Sequence, residues 1–191
     1  MSAFYNYSEP FNAECRAFGR LRESGHEDLA VQCFGYVLLD EKHEHIIMSQ
    51  FSDKNLEFNG NGENPGIDDM RSRFLGRHGK PPPLRGIIKA LGKADEPLRK
   101  RSARKLYQSI VSLQQLGIIN IDVAHRQLID GKFADFSTAI TTPHFITTPE
   151  LNPRLTPEWI SAMEFETFQF SINDFWAFDN MVVMAAKSHI N

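Results

Sequence analysis

Residues 118–139 read IINIDVAHRQLIDGKFADFSTA, and the reading of the whole chain turns on this stretch. Ile118–Ile121 is a short β-type run that delivers Asp122 into a polar loop holding His125, Arg126 and Gln127. Asp130-Gly131 is a turn signal, because an Asp-Gly pair tolerates the positive φ angles of a tight hairpin. A second β-type run, Lys132–Phe136, brings a second aspartate, Asp135. Two carboxylates at the ends of one hairpin suit phosphate chemistry, one orienting a hydroxyl and the other holding a Mg²⁺ that bridges phosphates.

Upstream, Leu106, Ile110, Leu113 and Leu116 recur at helical spacing, which predicts a helix over Leu98–Leu116. Pro97 stands at its start and Gly117 where a helix C-cap glycine belongs. Before it, the stiff KPPPL of 80–84 leads into a strand over Arg85–Leu91, closed by Gly92. Glu41–Gly66 is polar, ends in NGNGENPG and reads as a connector, with 53–70 as a flexible loop. Its glycines are not a phosphate cradle, since a polar, acidic stretch follows them rather than a helix. His43 and His45 would share one face if that segment were extended, but a third metal ligand is missing. Leu29–Leu39 fits one or two strands broken near Gly35. Phe11, Cys15, Phe18 and Leu21 make an amphipathic helix over Phe11–Arg22, capped by Asn12 and ended by Gly25. Downstream, Thr141–Pro157 is irregular, and Trp159–Phe170 and Asp174–Ala186 are expected to be two helices.

With 191 residues, 41% hydrophobic and 24% charged, the chain reads as one globular domain with a full core. Cys15 and Cys33 have neither CxxC nor metal spacing and read as buried thiols of a reducing compartment. The first residues lack a basic n-region and a long apolar core, and Met181–Ala186 is too short to span a bilayer. A soluble intracellular protein, of cytoplasm or nucleus, is the expectation.

The net charge of −3 conceals segregation. Twelve of the 21 Lys and Arg residues lie in 71–105, against Asp95 and Glu96 alone, whereas 150–191 carries six acids against Arg154 and Lys187. Arg99, Lys100, Arg101, Arg104 and Lys105 crowd two helical turns and repel one another unless acids neutralise them. Either the acidic C-terminal segment does so internally, or a protein partner does so from outside. No aromatic residues interleave the cations as a base-stacking platform requires, which argues against nucleic acid.

The order helix, strand, aspartate loop, hairpin and Asp-Phe resembles the catalytic loop and metal-binding segment of protein kinases: His-Arg-Asp, four residues, Asn, a hairpin, then Asp-Phe-Gly. The matching positions are Asn120-Ile121-Asp122, Gln127 and Asp135-Phe136-Ser137. The stretches FNAECRAFGRL (11–21), AVQCFGYVLL (30–39) and 116–144 are similar to a fungal kinetochore-associated subunit family with a kinase-like fold. The resemblance implies an α+β, protein-kinase-like domain over 1–191, with a reduced small-lobe part over 1–93 and a mainly helical large-lobe part over 94–191. It places Glu14 as the small-lobe helix's ion-pairing glutamate, Asp122 as candidate base, Gln127 as second metal ligand and Asp135 as candidate metal residue.

Departures from the kinase pattern govern what the resemblance implies for mechanism. Residues 1–13 hold no Lys, Arg or Gly, so a glycine-rich loop and strand lysine are not expected in their usual place. Ala124 replaces the catalytic-loop lysine, Gln127 the asparagine, and Ser137 the glycine of Asp-Phe-Gly. Gln is one methylene longer than Asn, enough to displace its oxygen from a metal. Lys89 on the later strand is the candidate for a relocated nucleotide-binding lysine.

Plainer readings stand beside each role. Asp122 is also a residue that bonds its own loop, Asp135 a turn cap, Glu14 a solvated helix charge and Gln127 a hydrogen-bonder within the hairpin. His125 and Arg126 fit an anion site or an intra-loop salt bridge. Three functions follow: a non-catalytic kinase-like interaction module, such as a kinetochore subunit, needing no cofactor; a divergent phosphotransferase using Mg-ATP, Asp122 and Asp135; and a repurposed enzyme with Asp122 as general base on a small molecule. For the first, the partner surface is the basic start of the helix, and a homodimer is compatible with it.

Overall fold

The computed structural model describes residues 6–52, 79–80, 83–94 and 98–188. Two compact units emerge: residues 1–34 with 89–191, and residues 35–88. The flexible loop expected over 53–70, the prolines at 81 and 82, and Pro97 lie outside the described residues.

The larger unit begins with α1, Pro10–Ser24. Pro10 occupies the first turn, where its missing N–H costs nothing. Glu9, not Asn12, is the N-cap: its carboxylate accepts from the Asn12 backbone N–H. The C-terminus closes on Gly25 at φ +73, with Gly25 N–H on Arg22 O and His26 N–H on Leu21 O, the paired bonds of a Schellman turn. Ala13, Ala17, Phe18 and Leu21 are its buried face.

Helix α3, Lys100–Gln115, buries Leu106, Ile110 and Leu113, as the periodicity predicts. Its start is Lys100 rather than Leu98, with the Ser102 hydroxyl closing the first turn on Arg99 N–H and C=O. Gly117 follows at φ +76, and a Cβ there would collide with the Thr142 hydroxyl, so the position needs glycine twice over. Strand β3, Ile118–Ile119, pairs antiparallel with β6, Ile140–Thr141. The hairpin is β4, Leu128–Ile129, with β5, Lys132–Phe133, and it is shorter than the run to Phe136 that composition suggests. Asp130 (φ 50) and Gly131 (φ 70) form its two-residue turn, the pair of positive φ angles expected of Asp-Gly.

Phe133 and Phe136 are fully buried and anchor this core. Phe18 of α1 packs edge-to-face on Phe136 at 5.3 Å between centroids. Arg16 and Arg20, also on α1, tie the helix to the next segment: Arg16 donates to the carbonyls of Thr141 (3.0 Å) and Pro143 (2.6 Å), Arg20 to Thr142 (2.7 Å).

The unit ends in one helix, α4, Pro157–Ser188, where two were expected. No Gly or Pro interrupts the segment after Pro157, so nothing breaks the hydrogen-bond ladder. Asp174, which suggests a break in sequence, sits mid-helix and buried, where its carboxylate has partners.

Strands β1 (Cys33–Leu39) and β2 (Leu84–Lys89) form a two-stranded sheet that lies mostly in the smaller unit, while Cys33, Phe34 and Lys89 at their ends belong to the larger unit. Gly35 lies within β1 at φ +130 without ending it, so the expected break is absent. Residues 41–50, expected as connector, are instead helix α2, Glu41–Gln50. Asp40 caps it, accepting from His43 N–H at 3.0 Å and pairing with His43 Nδ1 at 2.6 Å. His43 and His45 are therefore helical neighbours rather than a pair on an extended face, and among the described residues no three His, Cys, Asp or Glu side chains group as metal ligands. Cys15 and Cys33 form no disulfide and are half-buried rather than fully buried.

Candidate functional site

Glu14 is the first sequence-predicted site residue to find a partner. Its side chain is only 12% exposed and forms an ion pair with Lys89 at the end of β2, so it is no solvated helix charge. Lys89 Nζ also donates to the carbonyl of Ala134 at 2.6 Å, and Phe136 N–H points at Glu14 Oε1 from 3.4 Å. The pair thus meets the backbone on either side of Asp135, Lys89 at the Ala134 carbonyl and Glu14 at the Phe136 N–H. The ring of Phe18 lies 5.5 Å from the same ammonium and covers it.

Asp135 itself folds back on its own turn, Oδ1 accepting from Ser137 N–H at 2.8 Å. That is the turn-capping geometry of an Asx motif.

Asp122 and Gln127 are brought together as well. Arg126 Nη2 donates to both Asp122 oxygens, at 2.8 and 2.7 Å, and Gln127 Nε2 donates to Oδ2 at 2.7 Å. Arg126 therefore makes the intra-loop salt bridge. Gln127 turns its amide nitrogen to the carboxylate, where a metal ligand would offer oxygen to an ion. Among the described residues, no hydrogen bond joins Asp122 to Asp135. In this arrangement the Gln127 amide nitrogen is bonded to Asp122, and one Asp135 oxygen is bonded within its own turn.

What positions the loop is a residue that sequence reasoning missed. Asp174 of α4, 1% exposed, accepts from Asn120 N–H at 3.0 Å and Ile121 N–H at 2.8 Å, with Gln114 Nε2 at 3.4 Å. Burial pushes its carboxyl above the ordinary carboxylate range, and these three donors pull it back. Ile121 sits at φ 69, a left-handed conformation that costs a β-branched residue about 1–3 kcal/mol. Two backbone bonds to one buried carboxylate hold that strain in place, immediately before Asp122. The available signal was spacing: Ser171, Asp174, Phe178 and Met181 share one helical face, which marks Asp174 as inward. The Asn120 side-chain amide, also buried, has no hydrogen-bond partner among the described residues.

A second feature lies at the basic patch. Arg99, Lys100, Arg101, Arg104 and Lys105 are all exposed, and none forms an ion pair with a described residue. Internal neutralisation by the described acids of α4 is therefore not seen. Beside them, the start of α3 and the last turns of α4 bound a groove of about 770 Å³.

The chain matches the family Kinetochore Sim4 complex subunit FTA2 over residues 1–140 and belongs to that family. The match spans Glu14, Lys89, Asp122, Gln127 and Asp135 and stops within β6, before α4. No curated protein and no solved structure matches the chain.

Proposed function

We propose that this kinetochore-family chain is a non-catalytic, kinase-like interaction subunit. Membership of a complex-subunit family implies protein partners and a nuclear location. The single observation carrying the non-catalytic part is the state of Asp122: both oxygens accept bonds from Arg126 and Gln127, and a substrate hydroxyl must compete with these for the candidate base even though its side chain is 37% exposed. Support for the kinase-like part comes from element order, a helix carrying Glu14, two strands with α2 between them, a long helix, then the hairpin between Asp122 and Asp135. Partner contact falls to the exposed cations at the start of α3.

One observation favours a second reading. The Glu14–Lys89 pair beside Asp135 is the arrangement a divergent phosphotransferase would need to grip a nucleotide. A thermal melt with and without millimolar Mg-ATP separates the two. Saturating a micromolar site would add about 4 kcal/mol. An unmoved melt is expected; a rise of several degrees would replace the interaction subunit with the phosphotransferase.

A further inference from the structure

The groove beside the basic patch has a floor and a rim of different chemistry. Leu98, Tyr107, Phe178 and Val182 supply apolar and aromatic surface, and Ala103 and Ala186 keep it open by being small. Tyr107 packs at a tilt against Phe175 (5.5 Å between centroids) and Phe178 (5.8 Å) while staying half exposed. Arg99, Lys100 and Arg104 stand along the α3 side.

These cations are placed against the helix's own electrostatics. The first turn of α3 contains no acid, so Lys100 and Arg101 sit at the positive end of the helix dipole and repel each other there. A negatively charged occupant removes both penalties.

We infer that this groove binds an acidic amphipathic helix of another protein, its apolar side chains seated between α3 and α4 and its carboxylates on Arg99, Lys100 and Arg104. The inference rests on the interaction-subunit reading and names its partner chemistry. Helix-in-groove recognition uses apolar anchors at three- and four-residue spacing, which two flanking helices are shaped to receive. A nucleic acid fits less well, because beyond Tyr107 and Phe178 the groove is lined by Leu98, Val182, Ala185 and Ala186, aliphatic side chains that offer successive bases no π-face to stack on. A second copy of the chain fits less well than a dedicated partner, since its acidic α4 must also pack on its own α3.

The test is a selection against the full-length chain, at physiological salt, from a displayed library of random peptides of about 16 residues, a little over four helical turns. Enriched peptides should be rich in Asp and Glu, with large apolar residues three or four apart. Labelled winners should lose about tenfold or more in affinity on Ala103→Trp, which fills the groove, and on Arg104→Glu, which reverses the rim. Arg104 is exposed, so its reversal keeps the test valid if Ala103→Trp perturbs folding.

Four outcomes overturn the inference: no enrichment; winners that are basic or neutral; winners indifferent to both variants; or a single-stranded oligonucleotide that binds more tightly than the winners and is lost with Arg104→Glu. Sedimentation showing a dimer that both variants dissolve would assign the groove to a second copy instead. Failure here with a melt still unmoved by Mg-ATP removes the groove and leaves the interaction subunit standing. Peptide docking as described, with a melt raised by Mg-ATP, does the reverse.

Discussion

Lys89, the last residue of β2, is ion-paired with Glu14 on α1, 75 positions earlier in the chain, and the same ammonium holds the carbonyl that precedes Asp135. Neither side chain is more than a quarter exposed. Removing one leaves the partner stranded in a poorly hydrated site.

Lys89→Met should therefore destabilise the chain by about 2 kcal/mol, less than a fully buried pair would cost because some water reaches the site. Adding Glu14→Leu should recover part of that loss, since it removes the orphaned carboxylate. Urea denaturation of Lys89→Met, Glu14→Leu and the double variant checks this, and a double-variant loss equal to the sum of the two single losses would show that the pair is not coupled.

Asp174→Asn should cost about 1–3 kcal/mol despite its near-identical shape. One oxygen remains to accept a backbone N–H, but the amide nitrogen now faces a second donor at Asn120 or Ile121. Amide exchange at 120–122 should accelerate with it, because the left-handed Ile121 loses what holds it. Unchanged protection there would mean that the loop holds its own shape.

Acid should weaken the fold through His144. This ring is 4% exposed, with Nε2 at 3.3 Å from Tyr7 O and Nδ1 accepting from Ile146 N–H. Burial, with Arg16 nearby, holds its pKa below the ordinary value of 6.5. The unfolded chain then binds a proton that the folded chain refuses, so stability is full above pH 6.5 and falls as pH drops towards the lowered value. Melting temperature recorded from pH 7.5 down to 5.5 should decline, and His144→Gln should flatten that slope. An equal slope in the variant would assign the acid sensitivity elsewhere.

Charge reversal of Arg99, Lys100 and Arg101 to Glu should leave melting unchanged or slightly raise it, because acids at a helix start gain about 0.3–1 kcal/mol each from the dipole. Assembly with the chain's complex should be lost in the same protein. A variant that unfolds while any surviving complex persists would make these cations internal.

Most of the larger unit was legible because its signals are local. Leu106, Ile110 and Leu113 announce α3, Gly25 and Gly117 mark helix ends, and Asp130-Gly131 sets the hairpin turn. Helix α2 was hidden because none of its residues is buried: EKHEHIIMSQ has no apolar stripe to read, and its start rests on the Asp40 cap. The continuity of α4 was hidden because a buried aspartate looks like a break until its two backbone donors are seen. Glu14 and Lys89 were readable as candidates, yet only the fold joins them. The groove was unreadable for the same reason, since Tyr107 and Phe178 meet only when α3 packs on α4.

The two arginines of α1 carry a consequence for how the chain can be cut. Similarity to the family stops at residue 140, yet Arg16 and Arg20 take their acceptors from 141–143 and the Asn120–Ile121 turn takes its own from Asp174. A fragment trimmed to the shared region would leave two guanidinium groups and two amides without acceptors, and would strip α3 of the helix packed against it. The matched segment and the packed unit are thus different lengths, and residues outside the family match supply acceptors and packing to those within it.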